Sequence, residues 1–467
     1  MTQRIIILGG GAAGLTTALE LQKRQPPQSA SITLVDQSPY YTYQPFLPEV
    51  AGGHIAPRDV TVPLRKALRK TKVVEAAVTG LDASSKTITV TTADGVASEL
   101  PYDQLVVALG AVTRTFPTPG LAENGVGFKS VEEAQYVRDR VLGNIAEAAS
   151  VQDPATRRKL MTVVFVGGGY TGVEAMAELD DAAKAAVDEY PTLSRDELRF
   201  VLVEALDRVA PEVGPELSKW TLGHLRGRGI DIRLKTTMPS CIDGDVVLSD
   251  GETIPAGTIV WTAGVKPNPV VADLGLPLGP KGHVNVSATL QVQTEDGRAL
   301  DGVWSLGDVA QVPNLLAEKQ PAYYPPNAQN AVRQAVTVAD NVIAALSGAP
   351  LSEYRHESLG TVASYGIGKG AGVLKGVKVK NVAAWLAHRG YHLYAMPTVN
   401  RKWRILTGWV TNFVGGRDQT PLVGLSDPRA GFLAVTPVVE PKGDAAEGAA
   451  PAKGATPKGA AKTPATK

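Results

Sequence analysis

Residues 9–14 read Gly9-Gly10-Gly11-Ala12-Ala13-Gly14, and residues 167–172 read Gly167-Gly168-Gly169-Tyr170-Thr171-Gly172. Each hexad follows a short apolar run, at 4–8 and 162–166, and precedes a stretch with apolar side chains at helical spacing, at 15–24 and 173–186. A second apolar run comes after each helix, at 32–35 and 200–203, and an acid closes it, Asp36 in the first case and Glu204 in the second. Strand, glycine turn, helix and strand thus occur twice in one chain. The repeat decides the fold class: α/β, with two Rossmann-like dinucleotide-binding domains.

The glycine spacing has a physical reason. In Gly9-x-Gly11-x-x-Gly14 the first glycine permits the tight turn and the second lets backbone approach a pyrophosphate. The third lets the helix pack against the strand, and the free N–H groups and dipole of the helix N-terminus favour the anion. Asp36, at the end of the next strand, can accept hydrogen bonds from both hydroxyls of a ribose. Gly167, Gly169, Gly172 and Glu204 repeat the arrangement. An acid at 204 suits an unphosphorylated ribose and repels a 2′-phosphate, which favours NADH over NADPH; Arg208, close by in sequence, works the other way. A lone glycine motif is weak, but here every neighbouring element falls in place.

Three further strings complete the pattern. Residues 102–110 form a buried strand ending in Gly110, and residues 258–264 repeat that shape and end in Gly264. Residues 302–308 put Gly307 and Asp308 just past a strand, where the acid can reach a flavin's ribityl or phosphate groups. Ser130 with Glu133 forms a capping box before a helix, residues 243–254 alternate like a hairpin, and residues 328–346 read as a long helix.

Composition bounds the chemistry. The chain has 467 residues, 44% of them apolar, 20% charged and a single cysteine. Cys241 alone excludes a disulfide framework, a dithiol redox pair and a cysteine-based metal site, so redox chemistry must sit on a bound cofactor. The six histidines have no metal-ligand spacing, and no metal is expected. No run approaches the ~18–20 apolar residues needed to span a bilayer. The run at 5–8 is too short for a signal peptide, so the chain is expected to stay in the compartment where it is made.

On these residues the chain resembles the two-dinucleotide flavoproteins of the pyridine nucleotide-disulfide reductase fold, and within them the type II NADH dehydrogenases. The likeness covers residues 3–415 and rests also on the string from Tyr43 through Pro45, Phe46, Leu47, Pro48 and Glu49 to Gly53, and on Asn327-Ala328-Gln329-Asn330-Ala331. It implies FAD on the first copy, NADH on the second, and two-electron reduction of a quinone, menaquinone or ubiquinone, without proton pumping. It further implies a catalytic trio of Glu174, Gln329 and Arg333, with Glu174 near the nicotinamide and Gln329 at the quinone head group. The family has a glutamine where this chain has Arg333. The arginine can donate to a quinone carbonyl or pair with a carboxylate and narrow the pocket. Gln334, one residue on, is rotated by ~100° and cannot replace the missing side chain.

The implied organisation is an FAD-binding domain at 1–130 and 285–350, an NADH-binding domain at 131–284, a C-terminal region at 351–436, and a disordered Ala/Pro/Lys tail at 437–467. The net charge of +1 hides an asymmetry. Between Glu357 and Asp418 there is no acid, but there are nine Lys or Arg and three of the six tryptophans, which leaves the rest of the chain at −8. Two amphipathic helices, at 382–393 and 403–413, are expected to lie in a membrane interface through residues 381–414, placing a homodimer on the cytoplasmic face of the cell membrane. Nucleic acid is excluded as a partner, since no recognition motif accompanies the charge. Two other functions fit the same cofactors: a soluble FAD-dependent NAD(P)H oxidoreductase with a non-quinone acceptor, and an NADH-sensing flavoprotein with slow turnover.

Overall fold

Buried apolar runs make the central strands. Thr162–Val166 is buried at every position, and the last four residues of Gln3–Leu8 are buried too. Strands covered on both faces need no apolar–polar alternation, which is why both read as continuous runs. A computed structural model describes residues 3–24, 30–427 and 429, so the tail expected to be disordered lies outside the described residues. One compact unit runs to Val423 and a second begins at Gly424.

Two sheets organise the first unit. The six-stranded one has the order Gln291–Gln293, Ala299–Ser305, Gln104–Val107, Gln3–Leu8, Ala30–Asp36, Lys72–Glu75. Its neighbours pair in parallel, except that Gln291–Gln293 runs antiparallel to Ala299–Ser305. The five-stranded sheet is parallel throughout, in the order Gly125–Val126, Thr258–Trp261, Thr162–Val166, Arg199–Glu204, Asp231–Leu234. In each, the strand before the glycine hexad has the next strand on one side and a much later one on the other. That reversal opens a crevice at the carboxyl ends of the strands, where open α/β sheets bind ligands.

The helices after the hexads are Ala12–Arg24 and Tyr170–Val187, each starting inside its hexad. Ser130 and Glu133 form the expected capping box on Val131–Ala148. The hairpin at 243–254 pairs Asp245–Val247 with Thr253–Pro255. Ala328–Ser347 is capped by the Asn327 side chain, which accepts from the Asn330 N–H, and it packs along Ala12–Arg24.

After these comes an antiparallel sheet of Gly360–Ser364, Gly370–Leu374 and Val377–Lys380, with Gly360–Ser364 at its edge. The two expected amphipathic helices follow as Asn381–Ala395 and Val399–Gly415. Among the described residues no helix is long and apolar enough to cross a membrane.

Candidate active site

The two glycine turns are closed on two sides and open on the third. Gly9 and Gly167 have φ of 101° and 110°, a region that side chains avoid. A Cβ on Gly9 would lie 2.4 Å from the Ala108 carbonyl oxygen, and one on Gly14 would lie 1.8 Å from that of Gly9. The same contacts recur at Gly167, against Thr262 at 2.5 Å, and at Gly172, against the Gly167 oxygen at 2.0 Å. Between them, a Cβ on Gly11 would meet nothing within 4 Å, and one on Gly169 would meet only Glu212 Oε1 at 3.5 Å. A ligand phosphate needs that open side. Gly110 and Gly264, past the ends of Gln104–Val107 and Thr258–Trp261, also have positive φ and open space around a would-be Cβ.

Each acid is clamped in the same way. The Gly10 N–H donates to Asp36 Oδ2 and the Ser38 N–H to Oδ1 at 2.7 Å. In the second copy the Gly168 N–H donates to Glu204 Oε2 and the Leu206 N–H to Oε1 at 2.7 Å. Every carboxylate oxygen keeps a lone pair with which to accept from a ribose hydroxyl. Burial raises the Asp36 carboxyl above its ordinary value, against the pull of the Gly10 and Ser38 N–H groups.

Gly307 and Asp308 stand at the same crevice of the first sheet. Asp308 Oδ1 is buried with no hydrogen-bond partner, and burial raises that carboxyl while Lys129 and His283 pull it down. An orphaned buried acceptor is costly unless a ligand donates to it. The open side of Gly11 and the orphan on Asp308 are the features that FAD would fill, so the residues present fit that group. Gln334 is buried and accepts from the Gly307 N–H at 2.8 Å, so it props the flavin-side turn instead of facing an acceptor.

Glu174 lies in the first turns of Tyr170–Val187 and Gln329 in the first turn of Ala328–Ser347, and one strand joins them. The Ser364 N–H donates to Glu174 Oε1 at 2.7 Å, and Gln329 Nε2 donates to the Gly360 carbonyl at 3.4 Å. Gly360–Ser364 is therefore held at its two ends, about 13 Å apart along the strand, by both candidate residues. Gln329 Oε1 sits 3.3 Å from His356 Nε2, which leaves one amide N–H of Gln329 free to donate. Arg333 bonds only to the Gln329 carbonyl, at 3.4 Å, among the described residues. Of the two roles open to it, pairing with a carboxylate is not adopted.

Residues 3–335 match the model of the pyridine nucleotide-disulphide oxidoreductase family. The chain belongs to this family. Its relatives include the demethylphylloquinone reductase NdbB of Synechocystis sp., 29% identical over 88% of this chain and 96% of that one. A type II NADH:quinone oxidoreductase of Staphylococcus aureus is 30% identical over 80% of this chain and 90% of its own length, and the chain groups with that branch of the family. The fold matches that of NDH2 from Plasmodium falciparum, solved in complex with NADH, with a TM-score of 0.79 at 18% identity over 90% of this chain and all of that one. The thiol chemistry in the family's name has no counterpart here. Cys241 is buried beside the five-stranded sheet, and burial pushes its thiol up.

Behind Glu174 lies a group of buried ionisable residues that the sequence reading did not assign. Glu49 comes from Leu47–Ala51, Glu178 from Tyr170–Val187, and His388 and Arg389 from Asn381–Ala395. His388 Nε2 is 3.4 Å from Glu174 Oε1 and its Nδ1 is 3.8 Å from Glu49 Oε1. His54 Nε2 is 3.4 Å from Glu178 Oε2, and the Ser364 hydroxyl donates to Glu178 Oε1. Arg389 is sandwiched between the Trp385 and Trp409 rings, 4.9 Å from each, and its Nε is 4.0 Å from Glu49.

Burial dominates the electrostatics of this group. It pushes the Glu49 carboxyl up to about 8, with Arg389 opposing, and it raises Glu174 well above the carboxylate range despite the Ser364 N–H. Burial works the same way on Glu178, but His54 and the nearby arginines hold that carboxyl down at about 2. The signal in the sequence was spacing: Glu174 and Glu178, like His388 and His392, stand four apart on one helix face.

The basic stretch also differs from its sequence reading. Lys369 pairs with Asp181 at 3.0 Å, Lys378 with Glu216, and Arg401 and Arg404 with Asp59 at 3.7 and 3.5 Å. Three acids from other elements thus lie against four of the nine cations, and Arg389 is buried, so the basic edge is smaller than the run alone suggests. The apolar face remains: Tyr394, Trp403, Phe413 and Val414 are 80, 62, 90 and 82% exposed. Trp385 and Trp409 turn inward, so one of the three tryptophans serves that face.

Proposed function

We propose that the chain oxidises NADH and reduces a membrane quinone, menaquinone or ubiquinone, with FAD in the first glycine cradle and NADH in the second, and without pumping protons. The observation that carries this reading is the edge strand Gly360–Ser364, which ties the NADH-side Glu174 to the acceptor-side Gln329. FAD, when bound, supplies the two-electron carrier between a hydride donor and a quinone. The protein's part is to bind, orient and handle protons.

Gly9, Gly11, Gly14 and the N-terminus of Ala12–Arg24 take one pyrophosphate, Asp36 a ribose, and Asp308 a hydroxyl donor, with Gly110 and Gly307 shaping the approach. Gly167, Gly169, Gly172 and Glu204 do the same for NADH, and Gly264 leaves the nicotinamide side open. Burial makes Glu174 hold a proton more tightly than an ordinary carboxyl does, and its side chain keeps a small exposed surface beside the reacting groups. Gln329 offers its free amide N–H to a quinone carbonyl, and Arg333, one turn on, adds a permanent charge where the quinone's oxygens become more negative. The exposed apolar residues of Asn381–Ala395 and Val399–Gly415 seat a homodimer on the cytoplasmic face of the membrane.

The test is flavin absorbance in the purified protein, its bleaching by NADH, and its return on adding a menaquinone analogue. Bleaching without return favours a soluble acceptor, and absence of flavin overturns the reading. Arg333→Gln is expected to lower kcat/KM for the quinone by about tenfold, the size of one lost charge-assisted hydrogen bond, with NADH affinity unchanged. A titration of NADH binding by fluorescence alongside quinone kinetics checks both halves. Glu204→Ala should weaken NADH binding by about tenfold, the cost of ribose hydrogen bonds to a charged acceptor, and leave NADPH binding much less affected. Binding isotherms for the two nucleotides measure this directly.

A further inference from the structure

The two glycine turns differ on their open side. A Cβ on Gly11 would meet nothing within 4 Å, whereas one on Gly169 would lie 3.5 Å from Glu212 Oε1. Glu212 belongs to the short turn Pro211–Val213, which follows the strand Arg199–Glu204 and is pinned on both sides. Before it, Ala210 takes a left-handed φ of 42°, and its N–H donates to the Gly168 carbonyl at 2.7 Å. After it, Val213 is buried with Ala210 and Leu217 in a small apolar cluster against Tyr170. The backbone therefore holds Glu212 at the second turn, and only its side chain can give way. The residue is exposed to solvent, so a nucleotide seated in that turn would cover it.

We propose that Glu212 is a built-in competitor for the pyrophosphate of the second nucleotide, which binds with a proton on Glu212. The inference rests on the reading that NADH occupies the second turn. A carboxylate beside Gly169 faces the same helix N-terminus that the doubly charged pyrophosphate needs, and the two anions repel. Binding therefore takes one proton from solvent onto a Glu212 oxygen, and the neutral carboxyl can donate where the carboxylate only repels. The groups facing Glu212 offer no cation to offset that repulsion. They are Glu204 from the preceding strand, Tyr170 and Glu174 from the helix Tyr170–Val187, and Tyr365 just past Gly360–Ser364. Lys378 lies on Glu216, one turn further along the chain.

Burial by the surrounding chain already raises the Glu212 carboxyl above its ordinary value, against its own N–H and that of Tyr170, and Glu204 adds to the rise. A bound pyrophosphate raises it further. Nucleotide affinity is then full below the free protein's value and weakens as pH rises between that value and the higher one of the complex. A resident flavin gains from the unopposed first turn, whereas a substrate that must leave as NAD+ in every cycle gains from a weaker one.

The experiment compares flavin-loaded wild type with Glu212→Gln, using ADP-ribose, which has the pyrophosphate but cannot reduce the flavin. Calorimetry in buffers of different ionisation enthalpy counts the protons taken up per ligand bound. Wild type is expected to take up at least about half a proton near about pH 7, and to lose at least about fivefold in affinity from about pH 6 to about pH 8. Glu212→Gln is expected to take up none and to bind ADP-ribose at least about tenfold more tightly at about pH 8, the scale of one relieved like-charge contact. Its flavin absorbance should match that of wild type, since the first turn is untouched. Equal proton uptake by the two proteins, or an affinity that does not rise in Glu212→Gln, overturns the inference and leaves NADH in the second turn. Failure of both proteins to bind ADP-ribose defeats the proposed NADH site itself, and this inference with it.

Discussion

Gly11→Val is expected to give a folded protein with no flavin. The position has no positive φ and open space around a would-be Cβ, so a larger side chain strains neither the turn nor its neighbours. What it does is occupy the side of the turn that a pyrophosphate must approach, and it shields the N–H groups of the helix start from the anion. A loss of at least about 100-fold in flavin affinity, about 2.7 kcal/mol, is the expected scale. Absorbance of the purified protein gives the occupancy, and circular dichroism of both proteins stripped of flavin gives the fold. Gly14→Val is the control of opposite kind. Its Cβ would lie 1.8 Å from the Gly9 oxygen, so it should disturb the strand–helix packing itself. Full flavin occupancy in Gly11→Val would mean that the first turn is not the phosphate cradle.

The second large effect concerns the apolar face. Replacing Tyr394, Trp403, Phe413 and Val414 together with serine is expected to move the protein from the membrane pellet to the supernatant. Each large apolar side chain gains about 1.5–3 kcal/mol on full burial, so four of them supply about 6 kcal/mol or more. That corresponds to a change of about 10⁴-fold in partitioning. Vesicle sedimentation measures it, and NADH bleaching of the flavin reports whether the variant remains intact. Because Lys369, Lys378, Arg401 and Arg404 are already paired within the chain, raising the salt should weaken wild-type binding by less than about tenfold. A variant that still sediments with vesicles would remove this face from membrane docking.

What the sequence made legible was local. The two hexads with their strands, helices and acids lie within about forty residues each, and every part of that unit constrains the next. Glu174 and Gln329 could be picked out by resemblance, but the strand that joins them could not. Its two hydrogen bonds link residues 190 and 31 positions apart and involve backbone atoms, which carry no sequence signature. Glu49 and His388 are more distant still and meet because three elements pack at one point. The basic stretch was only partly legible for a related reason: a run without acids in sequence says nothing about acids that other elements bring alongside, and Asp59, Asp181 and Glu216 all do so.

The strand Gly360–Ser364 has a practical consequence for making a water-soluble form. Trimming the chain before residue 360 would take away the two helices with the exposed apolar face, but also the N–H that orients Glu174 and the carbonyl that holds Gln329. It would uncover Glu49 and Glu178 as well, which are fully buried under that region. The part proposed to grip the lipid and the part that shapes the pocket are one piece of protein, so a form without the exposed apolar face has to be engineered by repainting that face and not by shortening the chain.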